Sequence, residues 1–327
     1  MSSWDHRKHT KPARENRLRN RRQRRYWLPD RSLPCKAGAK VYFGARSAEK
    51  AEAACKKIYQ ENPSVRQGQI TWLHMDMTCL KSILVTCEKL RNTESRLHLL
   101  INNAAHEGTE PSKLADSGAQ VTMQTKAATL EKDSDVRIVM VCIALPFSVL
   151  YRESPVSSDA PSFSHSEEYR PDFSNPHGGD FVYPSGQSLA QDNGFMACMK
   201  RYSVSKMALN LQTSELQAHY DKEDVPILVI SVCPGTVWTP STRRAVPWYL
   251  YPIFWLKSFS EIMGPKPVLF AAVSREVREQ ERYFKGQFIN RSHIVIKGHP
   301  ATHSAVLAKE LWSSTEELVS EFKQIKG

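Results

Sequence analysis

The stretch Arg201-Tyr202-Ser203-Val204-Ser205-Lys206-Met207-Ala208-Leu209-Asn210 decides how this chain is read. It sets a phenol and an ammonium four residues apart, which on a helix is one face. A neighbouring cation favours phenolate over phenol and draws a tyrosine down from its reference pKa of about 10. Proton exchange with a carbonyl or alcohol oxygen needs such a group. The pair is informative because of what flanks it. Upstream, Leu99-Leu-Ile-Asn102-Asn103-Ala104-Ala105 is an apolar strand ending in two amides and two small residues. Downstream, Ile227-Leu-Val-Ile-Ser-Val-Cys233-Pro234-Gly235-Thr236-Val237-Trp238-Thr239 is a buried-type strand entering a Pro-Gly turn.

Strands and helices alternate outward from these motifs. Strands are predicted at 40–43, 70–75, 97–102, 136–142, 227–233 and 286–289. Helices are predicted at 48–60, 80–91, 201–219, 265–277 and 301–322. Apolar strands alternating with amphipathic helices predict an α/β fold, a Rossmann-like, doubly wound parallel sheet. Residues 153–194, rich in Ser, Pro, Asp, Gly and His, read as an insertion loop. The predicted domain runs from 35 to 327 and includes this insertion and a lid-like segment over 240–262.

Charge is distributed unevenly. Residues 1–31 hold eleven Lys/Arg against three Asp/Glu, a net +8, which leaves +3 of the chain's +11 for the other 296 residues. Residues 1–34 are expected to form a disordered basic tail, because so few apolar groups cannot offset the entropy of ordering. Such a tail suits weak contact with nucleic-acid phosphates. The seven cysteines are scattered, without a Cys-x-x-Cys pair. Neither a disulfide framework nor a metal site is expected, and reduced thiols in a cytoplasmic protein fit better. The chain begins with charge from Asp5 onward, unlike a signal peptide.

The three motifs, taken in order, resemble the short-chain dehydrogenase/reductase family, near its retinol-dehydrogenase-like and fungal members. The resemblance runs from about Gly38 to the C-terminus and includes the closing segment Glu310-Leu-Trp-Ser-Ser-Thr-Glu-Glu-Leu-Val319. It implies an NADP(H)-dependent oxidoreductase acting on a small-molecule carbonyl or alcohol. By resemblance, Tyr202 is the general acid/base, and Lys206 lowers its pKa and holds the ribose. Arg46 would meet a 2′-phosphate, Asp76 the adenine, Asn103 the cofactor, and Val237 and Thr239 the nicotinamide end. Relatives carry a substrate lid where this chain has Val246-Pro-Trp-Tyr-Leu-Tyr-Pro-Ile-Phe-Trp-Leu256. Those aromatics suit a lipophilic substrate or a membrane surface.

The chain also departs from the family. The glycine-rich Thr-Gly-x-x-x-Gly-x-Gly turn is absent, and no glycine precedes Gly38. The first strand is therefore expected to be missing, and one central helix as well, because the text between Asn103 and Arg137 has too few apolar positions for it. Cys142 and Ile143 stand where relatives carry two serines. A thiol is a weak donor and isoleucine none. These departures predict weak or absent cofactor binding and poor turnover. They leave two other readings open: an inactive or truncated relative with an interaction role, or a nucleic-acid-associated protein acting through its Arg-rich tail. The oligomeric state is left undetermined.

Overall fold

The computed structural model describes residues 16–20, 35, 38–104, 136–142, 195–239, 242–243, 246–258, 263–298 and 300–324. Among these residues seven strands form one parallel sheet: β1 Asn16–Asn20, β2 Lys40–Ala45, β3 Ile70–His74, β4 Leu99–Asn102, β5 Val136–Val141, β6 Ile227–Val232 and β7 Phe288–Ile289. Their order is β3-β2-β1-β4-β5-β6-β7. The helices are α1 Ala48–Glu61, α2 Leu80–Thr93, α3 Phe195–Lys222, α4 Tyr251–Lys257, α5 Pro265–Val273, α6 Arg275–Glu279, α7 Glu281–Phe284 and α8 Ala305–Gln324.

The strand order corrects the expectation of a missing first strand and of a tail disordered throughout 1–34. Asn16–Asn20 lies between β2 and β4, with Leu18 in register with Tyr42 on one side and Leu100 on the other. Without it, both neighbours would leave a row of unpaired amides and carbonyls inside the protein, each costing about 1–3 kcal/mol. Backbone pairing drives this placement. The sequence Asn-Arg-Leu-Arg-Asn does not show it, because a strand in the middle of a parallel sheet normally reads as a continuous apolar run. The proposed insertion at 153–194 and the expected gap in the central helix both fall outside the described residues.

β5 and β6 read Val-Arg-Ile-Val-Met-Val and Ile-Leu-Val-Ile-Ser-Val, and every residue in both is buried. That is the signature of strands covered on two faces. On one face Ile138, Met140, Val229 and Leu100 pack with Leu209, Leu216 and Tyr220 of α3. On the other, Val139, Val141, Leu228 and Ile230 pack with Val268 and Phe270 of α5. The doubly wound arrangement follows from this alternation, since successive side chains leave opposite faces. α1 opens on Ser47, whose side chain accepts from the Lys50 amide at 3.3 Å, with Glu49 in the first turn.

Two buried polar side chains hold the edges of this architecture. Arg137 interrupts the apolar run of β5. Its Nη1 donates to the carbonyls of Ser274 (2.9 Å) and Ala271 (3.3 Å) at the end of α5. A cation there caps orphan carbonyls and opposes the helix dipole. The single helix expected over 265–277 therefore breaks, with Ser274 turning to an extended backbone (ψ 134) before α6 starts. Gln217 of α3 accepts from the Val229 amide at 2.7 Å and donates to the Ile227 carbonyl at 3.0 Å. This completes the hydrogen bonding of β6 where the two-residue β7 is too short to reach.

Candidate active site

In a parallel sheet of this kind, ligands bind outside the carboxyl ends of the strands. β4 ends in Asn102 and Asn103, β5 in Val141 and Cys142, and β6 in Cys233 and the Pro234-Gly235 turn, where Gly235 has φ +77. A positive φ at that position is open to glycine and strained for most side chains.

Lys206 reaches this rim from α3. Its side chain is buried, and Nζ donates to the Val141 carbonyl at 3.4 Å. Burial pushes its ammonium below the ordinary lysine value. The thiols of Cys142 and Cys233 lie close enough to act on it electrostatically, in the opposite direction. Cys142 and Cys233 face α3 side by side, and the Cys142 amide donates to the Val232 carbonyl at 2.7 Å. The Cys142 thiol lies 3.9 Å from the Lys206 carbonyl, a weak contact. Tyr202 sits one turn before Lys206 on the same helix, about 6 Å along its axis; the placement of its side chain lies outside the described residues.

Asn103 is buried at the end of β4, and its Nδ2 has no hydrogen-bond partner among the described residues. A buried donor without a partner is uncommon and marks a place where a ligand atom would be accepted. Val237 and Thr239 are buried after the Pro-Gly turn. Thr239 Oγ1 accepts from the Thr242 amide at 3.1 Å, and Thr242 Oγ1 donates to the Val237 carbonyl at 2.8 Å. The pair thus forms a tight turn that shapes the rim.

Arg46 and Asp76 come together at the ends of β2 and β3, with Nη1 and Oδ2 3.8 Å apart. Asp76 is chiefly a turn former, as its Oδ1 accepts from the Thr78 amide (2.9 Å) and hydroxyl (2.7 Å). The Arg46 guanidinium is half exposed and loosely held. β2 and β5 are separated by β1 and β4. Arg46 and Lys206 therefore stand three strand spacings apart, about 14 Å. The rim holds two separate groups of predicted residues, not one cluster.

The residues fit a nicotinamide dinucleotide at both ends. Arg46 would bring a cation to the adenosine end, while Asn103 would bring a donor and Lys206 a charge to the nicotinamide end. The segment after β1, where the diphosphate belongs in such sheets, lies outside the described residues, and no glycine occurs in it before Gly38. Among the described residues, no group of three His, Cys, Asp or Glu could hold a metal ion. None of the predicted site residues lines the cavity of about 250 Å³ bounded by Asn210 and Ser214 of α3, Gln287, Lys297 and His303.

Sequence reasoning missed Arg137 and the paired thiols around Lys206. An arginine inside an otherwise apolar strand was the available signal for the first. The second emerges only when β5 and β6 are set in register.

Comparison with known proteins agrees with this geometry. The pattern of the family described as short chain dehydrogenase matches residues 33–139. A short-chain dehydrogenase/reductase of Pyricularia grisea, pyiH, is 56% identical over 219 residues, covering 62% of this chain and 82% of that protein. A second, dpfgH of Gibberella zeae, is 30% identical over 286 residues, covering 86% and 76%. Mouse retinol dehydrogenase 14 is 24% identical over 308 residues, covering 88% and 80%. Among solved structures, an uncharacterized protein of Mycobacterium paratuberculosis superposes with a TM-score of 0.60 at 16% identity, covering 98% of each chain. The NADPH-bound short chain oxidoreductase of Pseudomonas aeruginosa PAO1, described as containing an atypical catalytic center, superposes at 0.51 and 14% identity, covering 85% and 96%. With the Tyr202/Lys206 helix at the strand ends and fungal relatives matched over most of their length, the chain belongs to the short-chain dehydrogenase/reductase family.

Proposed function

We propose that this chain is an NADP(H)-dependent oxidoreductase that interconverts a lipophilic carbonyl compound and its alcohol. The observation that carries the reading is Lys206. It is an otherwise costly buried ammonium, held at the end of β5 by the Val141 carbonyl, one helical turn from a tyrosine. A buried lysine whose pKa is displaced by its surroundings is a mark of a functional site.

The cofactor would supply or take up the hydride. Lys206 would donate to the ribose and, by its charge, hold the Tyr202 phenol at a lower pKa. Tyr202 would protonate the substrate oxygen during reduction and accept that proton during oxidation. Asn103 would use its unpartnered Nδ2 to fix the bound nucleotide. Arg46, exchanging its loose contact with Asp76 for a 2′-phosphate, supports NADP over NAD. With Cys142 and Ile143 in place of hydroxyls, the substrate oxygen would have a poor second donor, so turnover would be slow. The cytoplasmic location expected from the scattered thiols goes with this reading.

Titrating NADPH and NADH into the full chain, followed by NADPH consumption with a panel of lipophilic ketones and aldehydes, tests the proposal. Weak but saturable NADPH binding and slow turnover that requires Tyr202 are expected. Failure of both nucleotides to bind would overturn it and favour an inactive relative.

A further inference from the structure

The segment after the Thr239–Thr242 turn has two apolar faces, of which the protein covers only one. Its inner face is anchored. Phe254 is 4% exposed, the Tyr251 hydroxyl donates to the Arg243 carbonyl at 2.7 Å, and the Tyr251 ring meets Trp238 edge-on at 5.5 Å. These contacts fix the rotation of α4, so its outer face cannot turn inward. That outer face presents Trp248 (79% exposed), Leu256 (77%), Trp255 (65%) and Tyr249 (61%), with Ile253 beside them. Single exposed apolar residues need no explanation, whereas a run of this size on one short segment marks a contact surface.

Composition and charge select the partner. Two tryptophans and a tyrosine dominate the face, and these rings favour the headgroup level of a bilayer. The flanks are cationic. Arg243 and Lys266 are exposed, and residues 240–266 contain four Lys/Arg against one Glu, a net +3. An apolar aromatic face bordered by cations is the pattern of a segment that lies in the interface of an anionic membrane. No helix among the described residues is long and apolar enough to cross a membrane. We infer that the Trp248–Leu256 segment docks the protein on an anionic lipid bilayer surface, inserting Trp248, Trp255 and Leu256 among the headgroups. The docked segment begins nine residues after Thr239, so it would bring the candidate site next to the bilayer. In that respect the inference extends the lipophilic-substrate reading. The docking itself does not depend on catalysis.

The test uses the full chain without nucleotide, with vesicles of phosphatidylcholine alone or mixed with phosphatidylserine. Flotation with the mixed vesicles is expected, together with quenching of tryptophan emission by brominated acyl chains. The triple variant Trp248→Ser/Trp255→Ser/Leu256→Ser is expected to lose the quenching and to partition on the order of 100-fold less, with its melting temperature and NADPH binding unchanged. Because brominated-lipid quenching is read on the unaltered protein, the inference can fail even if the variant misfolds. Three results would overturn it. Flotation without quenching, abolished by high salt, would mean adsorption through the basic N-terminal residues. Equal flotation and quenching in the variant would place the contact elsewhere. A dimer seen by sedimentation without lipid and lost in the variant, with no flotation, would make a second copy of the chain the occupant. Loss of NADPH binding in the unaltered protein would bear only on the oxidoreductase reading.

Discussion

Lys206 Nζ donates to the Val141 carbonyl across 3.4 Å, tying the middle of α3 to the last residue of β5. This bond joins the helix that carries the candidate acid/base to the strand end where a substrate oxygen would sit. The ammonium is buried and its charged form is disfavoured.

Lys206→Met replaces that ammonium with an apolar group of similar length. Reductase activity should fall on the order of 100-fold or more. Stability should move the other way. The folded-state pKa lies below the unfolded value, so the unfolded chain holds the proton more tightly, and the cost of burying the charge is fully present below the folded pKa. Thermal melts should show the variant's advantage shrinking as pH rises toward the unfolded lysine value.

Tyr202→Phe removes only a hydroxyl from the same helix. Turnover should drop by roughly 10²–10⁴-fold, while NADPH affinity by fluorescence titration stays within a factor of a few. Retained turnover would remove Tyr202 from the mechanism.

Arg46→Ala should separate the two nucleotides. A hydrogen bond to a charged group contributes about 1.5–3 kcal/mol, so NADPH affinity should weaken on the order of 10–100-fold and NADH affinity should hardly change. Calorimetric titration of both nucleotides reads this directly. Equal weakening of both would place Arg46 outside the 2′-phosphate contact.

Arg137→Met should destabilise the fold by about 2–4 kcal/mol, because the Ala271 and Ser274 carbonyls lose a buried charged donor at the end of α5. Urea denaturation gives the figure. An unchanged midpoint would show that solvent replaces the guanidinium.

His293 should make stability fall with acid. It stacks on Phe270 at 3.9 Å, and burial holds its pKa below the usual imidazole value. The unfolded chain therefore takes up this proton first, and stability is lost as pH falls from the unfolded value of about 6.5 toward the folded one. His293→Asn, which tolerates the φ of +66 at this position, should flatten melting temperature against pH across that window.

The Tyr202/Lys206 spacing, the apolar runs of β4, β5 and β6, and the Pro-Gly turn were legible because they are local. A four-residue interval on a helix or an unbroken apolar strand reports its own geometry. The α/β class followed from them, as did the placement of Asn103, Val237 and Thr239 at strand ends. The family resemblance supplied roles for these residues that spacing alone would not.

What the linear text concealed depends on partners distant in the chain. Asn16–Asn20 joins the sheet because β2 and β4 both need a neighbour, a demand that no side chain in Asn-Arg-Leu-Arg-Asn announces. The break at Ser274 depends on Arg137, which lies 137 residues earlier. The burial of Lys206 between two cysteine thiols depends on α3 crossing β5 and β6. Amino-acid order by itself determined the element types and the spacing that sets Tyr202 one helical turn from Lys206, because short-range sterics and hydrophobic periodicity set those. Only the tertiary structure decided which backbone edges were completed, which charge lost its water and which aromatic face was left uncovered, because hydrogen bonding and desolvation depend on what packs nearby.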